Sequence, residues 1–500
     1  MLSYAIFSAI LLVFAFPFFN LFPLAWVGLL PLLYALENRN LRQAFGTGYV
    51  FGLHFSALLL YSIISITFYG YFLLITYLAL FYALFALFTV ATRKYTTIPL
   101  FLAVPILWTF MEEVMSWGFF GVTLPHLTYS QTTFLPIIQI AAITGPGGIA
   151  FILLLVNGLV YESLIVPSWK QKLIYLGSVA IIIAGIFFIG RAVIPPLPEK
   201  NEKLEGAIEV AIVQGNIDQD IKWDSAYKDQ VYNKYISLSM VANHLKPDII
   251  IWPETSIPFH LGDNPSDLQR IQDFCHNVNT YLLAGIPSRR FNDDSVDTQN
   301  SAVLFSPAGE LVAKYDKMKL VPFSEHVPFG DDIPILQSIM EEAGHFAPGD
   351  KTVIFQFPQG KFGALICFES IFPSIARELI AEGAEFLVIM TNDAWFGTST
   401  LIHQHAAEAI LRAVENRTWV VRAANTGISE VIDPYGRVIE KRGVKTSATI
   451  NATIYPRQEE SFYTKYYWLF PGLILLCGGA LFILIIIGMV KEYKSHPGKR

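Results

Sequence analysis

The chain has 500 residues, of which 53% are hydrophobic and 15% are charged. Soluble domains contain about 25% charged residues, so this composition excludes a protein that lies wholly in water. The net charge of -6 argues against a nucleic-acid partner, which would require basic patches. Cys275, Cys367 and Cys477 stand at unrelated spacings and indicate neither a disulfide framework nor a metal site. We expect no metal and no cofactor.

Apolar residues are concentrated in two regions, 1–195 and 466–490. Because a bilayer crossing needs about 20 apolar residues, we predict a transmembrane helical domain over 1–195 with about seven spans, a C-terminal transmembrane helix over 466–490 and a tail over 491–500. The predicted spans lie near 2–18, 22–37, 45–68, 71–91, 97–117, 148–166, 173–193 and 467–490. The stretch "FLPIIQIAAIT" is too short to cross and is expected to be interfacial or re-entrant. The alternative for the first span, a signal peptide, is disfavoured because "MLSYAIF" lacks a positively charged start.

Positive charges are found in alternate connections, at 39–42, 93–94, 170–172 and 491–500. The intervening loops around "FFNLF", "FYGYF" and "LPHLTYSQTT" contain no lysine or arginine. Since positive residues are retained on the cytoplasmic side, both termini are predicted to be cytoplasmic and residues 200–460 to lie outside the cytoplasm.

Glu112 and Glu113 fall within a predicted span. An ionisable group inside a membrane is costly, which makes both residues functional candidates. The alternative is a pair of carboxylates that reach water from one turn below the outer interface.

Residues 205–457 have ordinary globular composition and predict an α/β domain. "AIEVAIVQGNI", "DIIIWPET", "YLLAGIPS", "SAVLFS", "KFGALICF" and "EFLVIMTN" are typical of buried strands. "DSAYKDQVYNKYISLSMVANHL" and "SIFPSIARELIAEGA" have helical spacing, and "SPAGE" and "DPYGR" are typical hairpin turns.

Three strand ends carry groups whose chemistry fits together. Glu254 follows the strand "IIIWP", Lys317 lies in "KYDKMK", and Cys367 ends the strand "KFGALI". A lysine beside a thiol lowers the thiol pKa, a glutamate can take the thiol proton, and an ammonium can stabilise the oxyanion of a tetrahedral intermediate. Each residue alone has another interpretation: a packed cysteine, a solvated lysine or a helix-capping glutamate.

The motifs "WPE", "YDK" with "LVPFSE", and "ICFES" with "TNDAWFG" closely resemble the nitrilase superfamily and its Glu-Lys-Cys triad. The whole chain is similar to its membrane branch, the apolipoprotein N-acyltransferase family. The resemblance implies a multi-pass α-helical membrane domain joined to a nitrilase-like α-β-β-α sandwich. It also implies that Glu254 is the general base, Lys317 the oxyanion-stabilising group and Cys367 the nucleophile. Lys317 is chosen over Lys319 because the family's lysine follows the tyrosine by two residues.

The same resemblance implies supporting or substrate-binding roles for five further residues, namely Trp223, Asn300, Glu325, Phe368 and Glu369. At position 368 some members have tyrosine, so this chain keeps the ring and loses a hydroxyl. The loop from Leu320 to Gly349, long and partly apolar, is predicted to act as a lid that admits lipid and excludes water.

The family resemblance implies a reaction that transfers a fatty acyl chain from a phospholipid, through a thioester on Cys367, to the α-amino group of a diacylglyceryl-cysteine at the N-terminus of an apolipoprotein. The expected location is the bacterial inner membrane, with the catalytic domain on the periplasmic side and the protein acting as a monomer. One alternative is a membrane-tethered amidase that hydrolyses small amides. The other is a non-catalytic membrane scaffold or transporter with a degenerate nitrilase-like domain.

Overall fold

The computed structural model describes residues 1–118, 121–197, 205–222, 225–291, 296–326, 346–457 and 459–495. The chain divides into two units. The helical unit comprises Met1–Ile64, Phe68–Pro195 and Tyr466–Arg500, and the sandwich unit comprises Ser65–Thr67 and Pro196–Lys465.

The helical unit is built from apolar helices joined by short connections. They are α1 (Leu2–Ala15), α2 (Leu30–Ala35), α3 (Leu41–Leu59), α4 (Phe68–Tyr95), α5 (Leu100–Met115), α6 (Leu135–Ile138), α7 (Ala141–Thr144), α8 (Pro146–Ile165), α9 (Trp169–Val193) and the final helix α16 (Leu469–Ser495). Within the described residues, α4, α8, α9 and α16 are long and apolar enough to cross a membrane.

Two of the predicted spans are interrupted in the structure. Residues 22–37 form a 3₁₀ turn (Phe22–Trp26) followed by α2, and each has a proline in its first turn, where the missing N–H costs no intrahelical hydrogen bond. Residues 45–68 divide where α3 ends at Leu59. The stretch predicted to be too short for a crossing forms the short helices α6 and α7.

Helix α16 packs against α4 and α5 through glycines. A Cβ atom on Gly478 would lie 2.4 Å from the ring of Phe110, and one on Gly488 would lie 2.1 Å from the carbonyl oxygen of Tyr95. Any larger residue would push the helices apart, so these contacts require glycine.

Glu112 serves as a structural acceptor within the helical unit. Its Oε1 accepts hydrogen bonds from Trp108 Nε1 and from the backbone N–H of Leu127, both at 2.9 Å. These bonds tie α5 to the segment that follows it, which accounts for a buried carboxylate without invoking a substrate.

The sandwich unit contains two six-stranded sheets. The first sheet has the order β12-β1-β2-β3-β4-β5 and the second has the order β11-β10-β9-β8-β7-β6. The strands are β1 (Ile208–Gln214), β2 (Ile249–Ile251), β3 (Tyr281–Phe291), β4 (Val296–Phe305), β5 (Leu311–Asp316), β6 (Ile354–Phe357), β7 (Gly360–Ile366), β8 (Phe386–Thr391), β9 (Trp419–Ala424), β10 (Ser429–Ile432), β11 (Val438–Arg442) and β12 (Ala448–Ile454). The predicted turns "SPAGE" and "DPYGR" are confirmed, since they join β4 to β5 and β10 to β11 as hairpins.

Helices cover the outer faces of both sheets. They are α11 (Lys228–Asn243), α12 (Pro265–Val278), α13 (Pro373–Ala381) and α14 (Thr400–Asn416). Two short helices, α10 (Gln219–Lys222) and α15 (Phe462–Tyr466), precede α11 and follow β12. One apolar core lies between the sheets and contains side chains from both, and a second lies between the first sheet and α11 and α12. Helices α13 and α14 pack on the second sheet. The predicted α-β-β-α sandwich is confirmed.

Strand direction brings the candidate residues toward one edge. Strands β1, β2 and β3 run parallel in the first sheet, as do β7, β8 and β9 in the second. The carboxyl ends of parallel strands share an edge, where open α/β sheets commonly bind ligands. Glu254 follows β2 and Cys367 follows β7 at such ends, and Lys317 follows the antiparallel strand β5.

Ile212 lies fully buried in the core between the two sheets. Truncation of Ile212→Ala is expected to lower the free energy of unfolding by about 2–5 kcal/mol and the melting temperature by roughly 4–20 °C. The matched control is Leu311→Ala, which removes as many carbons from a side chain that is 49% exposed. Thermal unfolding of the full chain in detergent measures the difference, and equal melting temperatures for the two variants would contradict the assignment of this core.

Candidate active site

The backbone around Glu254 is held in a tight turn after β2. Thr255 has a φ of +46°, a left-handed conformation that is uncommon for a residue with a side chain. Gly285 on β3 lies directly against this turn: a Cβ atom there would be 2.5 Å from both Pro253 O and Thr255 N. The glycine therefore allows β3 to approach closely enough to fix the position of Glu254.

The Glu254 carboxylate is buried and fully engaged. Asn300 Nδ2 donates to Oε1 at 2.8 Å, and the backbone N–H of Asn392 donates to Oε2 at 2.8 Å. The Lys317 ammonium lies 3.5 Å from Oε1. These contacts fix the plane of the carboxylate, so a proton acceptor stands in a defined orientation.

Lys317 is 1% exposed and lies between two carboxylates. Its Nζ donates to Glu325 Oε1 at 2.8 Å, and Glu325 Oε2 in turn accepts from Val321 N at 2.8 Å. Burial alone would lower the pKa of Lys317, but the negative charges of Glu325 and Glu254 outweigh it and raise that pKa above its usual value. Lys317 therefore remains a cation. Lys319, two residues later, is exposed.

Cys367 occupies a strained position at the end of β7. Its φ is +51°, and it opens a 3₁₀ turn (Cys367–Ile371). The residue as a whole is half-buried, whereas Glu254 and Lys317 are buried.

The pKa of the Cys367 thiol reflects burial as well as the neighbouring charges. Burial and the charge of Glu254 raise its pKa well above the usual range, although the Lys317 ammonium and a hydrogen bond with Thr391 act in the opposite direction. The thiol therefore rests in its protonated form. A reaction at this sulfur requires a base to take the proton as the sulfur attacks.

Glu369 joins the cysteine turn to the segment that bears the lysine. Its Oε1 accepts from Tyr315 OH at 2.7 Å and from the backbone N–H groups of Met318 and Lys319 at 2.7 and 3.2 Å. Its Oε2 accepts from Ile366 N at 2.8 Å. Burial raises the pKa of Glu369, while these bonds and the lysine charge lower it in part. The carboxylate fixes two chain segments relative to each other.

The other predicted site residues have different outcomes. Asn300 and Glu325 contact Glu254 and Lys317, as described above, whereas the ring of Phe368 packs edge-on against Phe372 at 5.2 Å. Trp223 lies outside the described residues, and so does most of the predicted lid, residues 327–345.

Sequence reasoning missed Lys222, which is 1% exposed. Its Nζ donates to the carbonyl oxygen of Glu254 at 3.2 Å. Burial lowers the pKa of Lys222 to about 8, an effect opposed by the charges of Glu254 and Cys367. A lysine in the polar stretch "QGNIDQDIKW" is typical of a surface position, and only the folded structure reveals its burial.

Asn392 was also missed, although its motif "TNDAWFG" was recognised. It contributes its backbone N–H to Glu254, and its side chain bonds both Asn425 and Gln219 at 2.8–2.9 Å. The contribution is made by the backbone, which a residue-type pattern does not indicate.

Both units of the chain match known protein families. The family profile "Carbon-nitrogen hydrolase" matches residues 209–462, and the profile "Apolipoprotein N-acyltransferase N-terminal domain" matches residues 8–159. A protein from Geobacter metallireducens named apolipoprotein N-acyltransferase is 34% identical over 482 residues, which cover 92% of this chain and 91% of that protein. A protein of the same name from Chlorobaculum tepidum is 30% identical over 522 residues, covering 97% and 96%. The crystal structure of Saccharomyces cerevisiae Nit3, a member of the nitrilase superfamily, covers 52% of this chain and 93% of its own, with 19% identity and a TM-score of 0.39.

The fold of the sandwich unit and its family match define an enzyme of the nitrilase superfamily. The match of residues 8–159 to the N-acyltransferase profile and the similarity along nearly the whole chain identify the family within that superfamily. The chain belongs to the apolipoprotein N-acyltransferase family. The family resemblance of the sequence motifs is thereby confirmed.

Replacement of Glu369 by glutamine tests its bridging contacts. Both carboxylate oxygens of Glu369 accept hydrogen bonds. The glutamine amide keeps one acceptor oxygen, but its NH₂ group would face the N–H or O–H groups that donate to the other oxygen. We expect Glu369→Gln to lower acyltransferase activity at least about tenfold, because displacement of catalytic groups by about 1 Å can cost a hundredfold. The measurement is the rate of acyl transfer to a diacylglyceryl peptide in detergent micelles.

The control for this substitution is Glu378→Gln, nine residues along the chain on the exposed side of α13. It makes the same chemical change away from the site and should retain full activity. Equal activity of the two variants would contradict the bridging role of Glu369.

Proposed function

We propose that this chain N-acylates lipoproteins by ping-pong acyl transfer through a thioester on Cys367, with Glu254 as general base and Lys317 as the oxyanion-stabilising group. The observation that carries the proposal is the buried contact of 3.5 Å between the Lys317 ammonium and the Glu254 carboxylate, both of whose charges act on the Cys367 thiol. Asn300 and Glu325 hold these two groups, and Glu369 holds the segments that bear Lys317 and Cys367.

In the first half-reaction the sulfur of Cys367 attacks the ester carbonyl of a phospholipid. Glu254 takes the thiol proton as the S–C bond forms, because the thiol is protonated at rest. Lys317 stabilises the oxyanion of the tetrahedral intermediate. When the C–O ester bond breaks, Glu254 returns the proton to the alkoxide, and the lysophospholipid leaves.

In the second half-reaction a neutral amine attacks the thioester. The amine is the α-amino group of a diacylglyceryl-cysteine at the N-terminus of an apolipoprotein. Glu254 takes a proton from the attacking nitrogen, an amide bond forms, the C–S bond breaks, and the proton returns to the sulfur. Lys317 stabilises the second oxyanion just as it does the first.

The proposed architecture places residues 1–195 and 466–490 in the inner membrane and residues 205–457, the catalytic domain, on the periplasmic side. Contacts inside the helical unit support the placement of the positively charged connections on one side of the membrane. Lys94 Nζ lies 3.3 Å from Glu492 Oε1. Arg93 and Glu37 both contact the hydroxyl of Tyr161. The tail 491–500 is then cytoplasmic, and the protein acts as a monomer.

The amidase alternative shares the triad chemistry and differs in the acceptor. It predicts turnover of small soluble amides and no requirement for a lipid donor. Identity of at least 30% with N-acyltransferases along nearly the whole chain, helical unit included, favours acyl transfer.

Mass spectrometry of the purified full chain tests the thioester. After incubation with phospholipid, we expect a fatty acyl adduct on the peptide containing Cys367. Addition of a diacylglyceryl-cysteine peptide should remove the adduct and yield an N-acyl peptide. The matched control is Cys367→Ala, which should form no adduct and should lose acyl transfer by at least about a thousandfold, as loss of a covalent nucleophile does elsewhere.

Active protein in which Cys367 carries no fatty acyl adduct would refute the scheme, and so would full activity of Cys367→Ala. Turnover of small amides at a rate above that of acyl transfer would favour the amidase. Glu254→Gln, which preserves shape and removes the base, should slow adduct formation.

Labelling with a membrane-impermeant maleimide tests the orientation. In a chain whose three native cysteines are replaced by alanine, Lys361→Cys lies at an exposed position of the sandwich unit, and Tyr493→Cys lies at an exposed position near the end of α16. With the outer membrane permeabilised, position 361 should be labelled and position 493 should react only after the inner membrane is opened. The reverse pattern would overturn the proposed topology.

A further inference from the structure

A buried polar cluster lies behind Cys367 and takes no part in the scheme above. It contains Asp393 just after β8, His405 on α14 and Arg422 on β9, none of which is more than 4% exposed. Buried charges of this kind are costly unless they are paired. The cluster therefore calls for a structural or functional explanation.

The cluster holds the His405 imidazole in one orientation. Nδ1 lies 2.9 Å from Asp393 Oδ1, while Asp393 Oδ2 accepts from Arg422 Nη2 at 3.0 Å. Thr391 Oγ1 also donates to Asp393 Oδ1 at 2.9 Å. Burial would raise the pKa of Asp393, but the charges of Arg422 and His405 reverse the effect and hold that pKa well below its usual range. Asp393 therefore remains an anion that can orient the ring.

The other ring nitrogen of His405 faces the turn that bears the nucleophile. Nε2 lies 3.1 Å from the carbonyl oxygen of Cys367 and 2.9 Å from Ser370 Oγ. Ser370 Oγ also donates to the carbonyl oxygen of Cys367 at 2.9 Å. Two side-chain groups thus converge on one carbonyl, that of the residue with a φ of +51°.

The arrangement of Ser370, His405 and Asp393 is similar to that of a serine-based catalytic triad, but Ser370 is 0% exposed and its hydroxyl is directed to a backbone carbonyl. It therefore cannot meet a substrate. A left-handed conformation at a residue with a side chain costs of order 1–3 kcal/mol and persists only when the surroundings enforce it. Hydrogen bonds in a low-dielectric interior are strong enough to provide that constraint.

We propose that His405 is a positioning residue for acyl transfer: its Nε2–H holds the carbonyl of Cys367, which fixes the left-handed turn and the direction of the thiol. Asp393 orients the ring by accepting from Nδ1–H, so the ring carries a proton on each nitrogen and the Asp393 anion balances its charge. Arg422 Nη2, 3.1 Å from Nδ1, holds Asp393. Because the same carbonyl belongs to the peptide that joins residues 367 and 368, the bond also fixes that peptide beside the reacting sulfur. The inference rests on the proposed function, since it concerns the thiol that forms the thioester.

The test compares two substitutions of His405 in the full chain. His405→Leu keeps a similar volume and removes both ring nitrogens, whereas His405→Gln can still place an N–H near the carbonyl of Cys367. We expect His405→Leu to lower kcat about 10- to 100-fold, with KM for phospholipid changed less than about threefold, and His405→Gln to recover at least about tenfold of the loss. His403→Leu, two residues away on α14 and partly exposed, is the matched control and should retain activity.

A second readout is independent of acyl transfer: the rate at which iodoacetamide alkylates Cys367, with melting temperature measured in parallel. This rate should fall in His405→Leu and recover in His405→Gln. Wild-type kcat in His405→Leu, or equal losses in both variants that track melting temperature, would overturn the positioning role. Failure of the wild-type chain to form a thioester would instead overturn the proposed function, so the two outcomes are distinguishable.

Discussion

The burial of one ammonium group between two carboxylates is the interaction on which the site depends. Lys317 follows β5, Glu254 follows β2, and Glu325 lies in the segment after Lys317, so their contacts draw separate parts of the chain together. Removal of one partner from a buried ion pair costs about 3–5 kcal/mol, because it leaves an uncompensated charge. The same pairing that satisfies the lysine keeps it cationic, and a fixed cation is what a developing oxyanion requires.

Around this ion cluster, each reactive group is held through its backbone. The turn at Glu254 is confined by Gly285, its carbonyl is bonded by Lys222, and Glu369 joins the segments that bear Lys317 and Cys367. Thr255 and Cys367, the two residues with positive φ in these turns, both come just after a strand, where the sheet holds the backbone in place. A protonated resting thiol is also less prone to oxidation than a thiolate, which suits an enzyme in the proposed periplasmic location.

Six strands and the positions of Glu254 and Cys367 could be predicted from the sequence, because these strands are short and apolar and both residues come at strand ends. The sandwich class and the role of Lys317 came from the motifs that resemble a known family, since the strand before Lys317 is largely exposed. The sequence did not reveal Lys222 or His405, since burial of a polar side chain depends on packing between distant segments. The lowering effect of Lys317 on the Cys367 pKa follows from the motif, whereas the larger opposing effect of burial does not, because the sequence does not show desolvation. In the helical unit, Pro23 and Pro31 divide a stretch that hydropathy alone joins into one span.

The first and last strands of the sandwich unit are neighbours, with Ile208 paired to Ile454. The polypeptide thus enters and leaves the unit at adjacent points, as an inserted domain does. Helix α16, beyond the insertion, docks on α4 and α5 through Gly478 and Gly488. During synthesis the helical bundle consequently stays incomplete until residues 469–495 have been made, and by then the whole sandwich unit has already left the ribosome's active site.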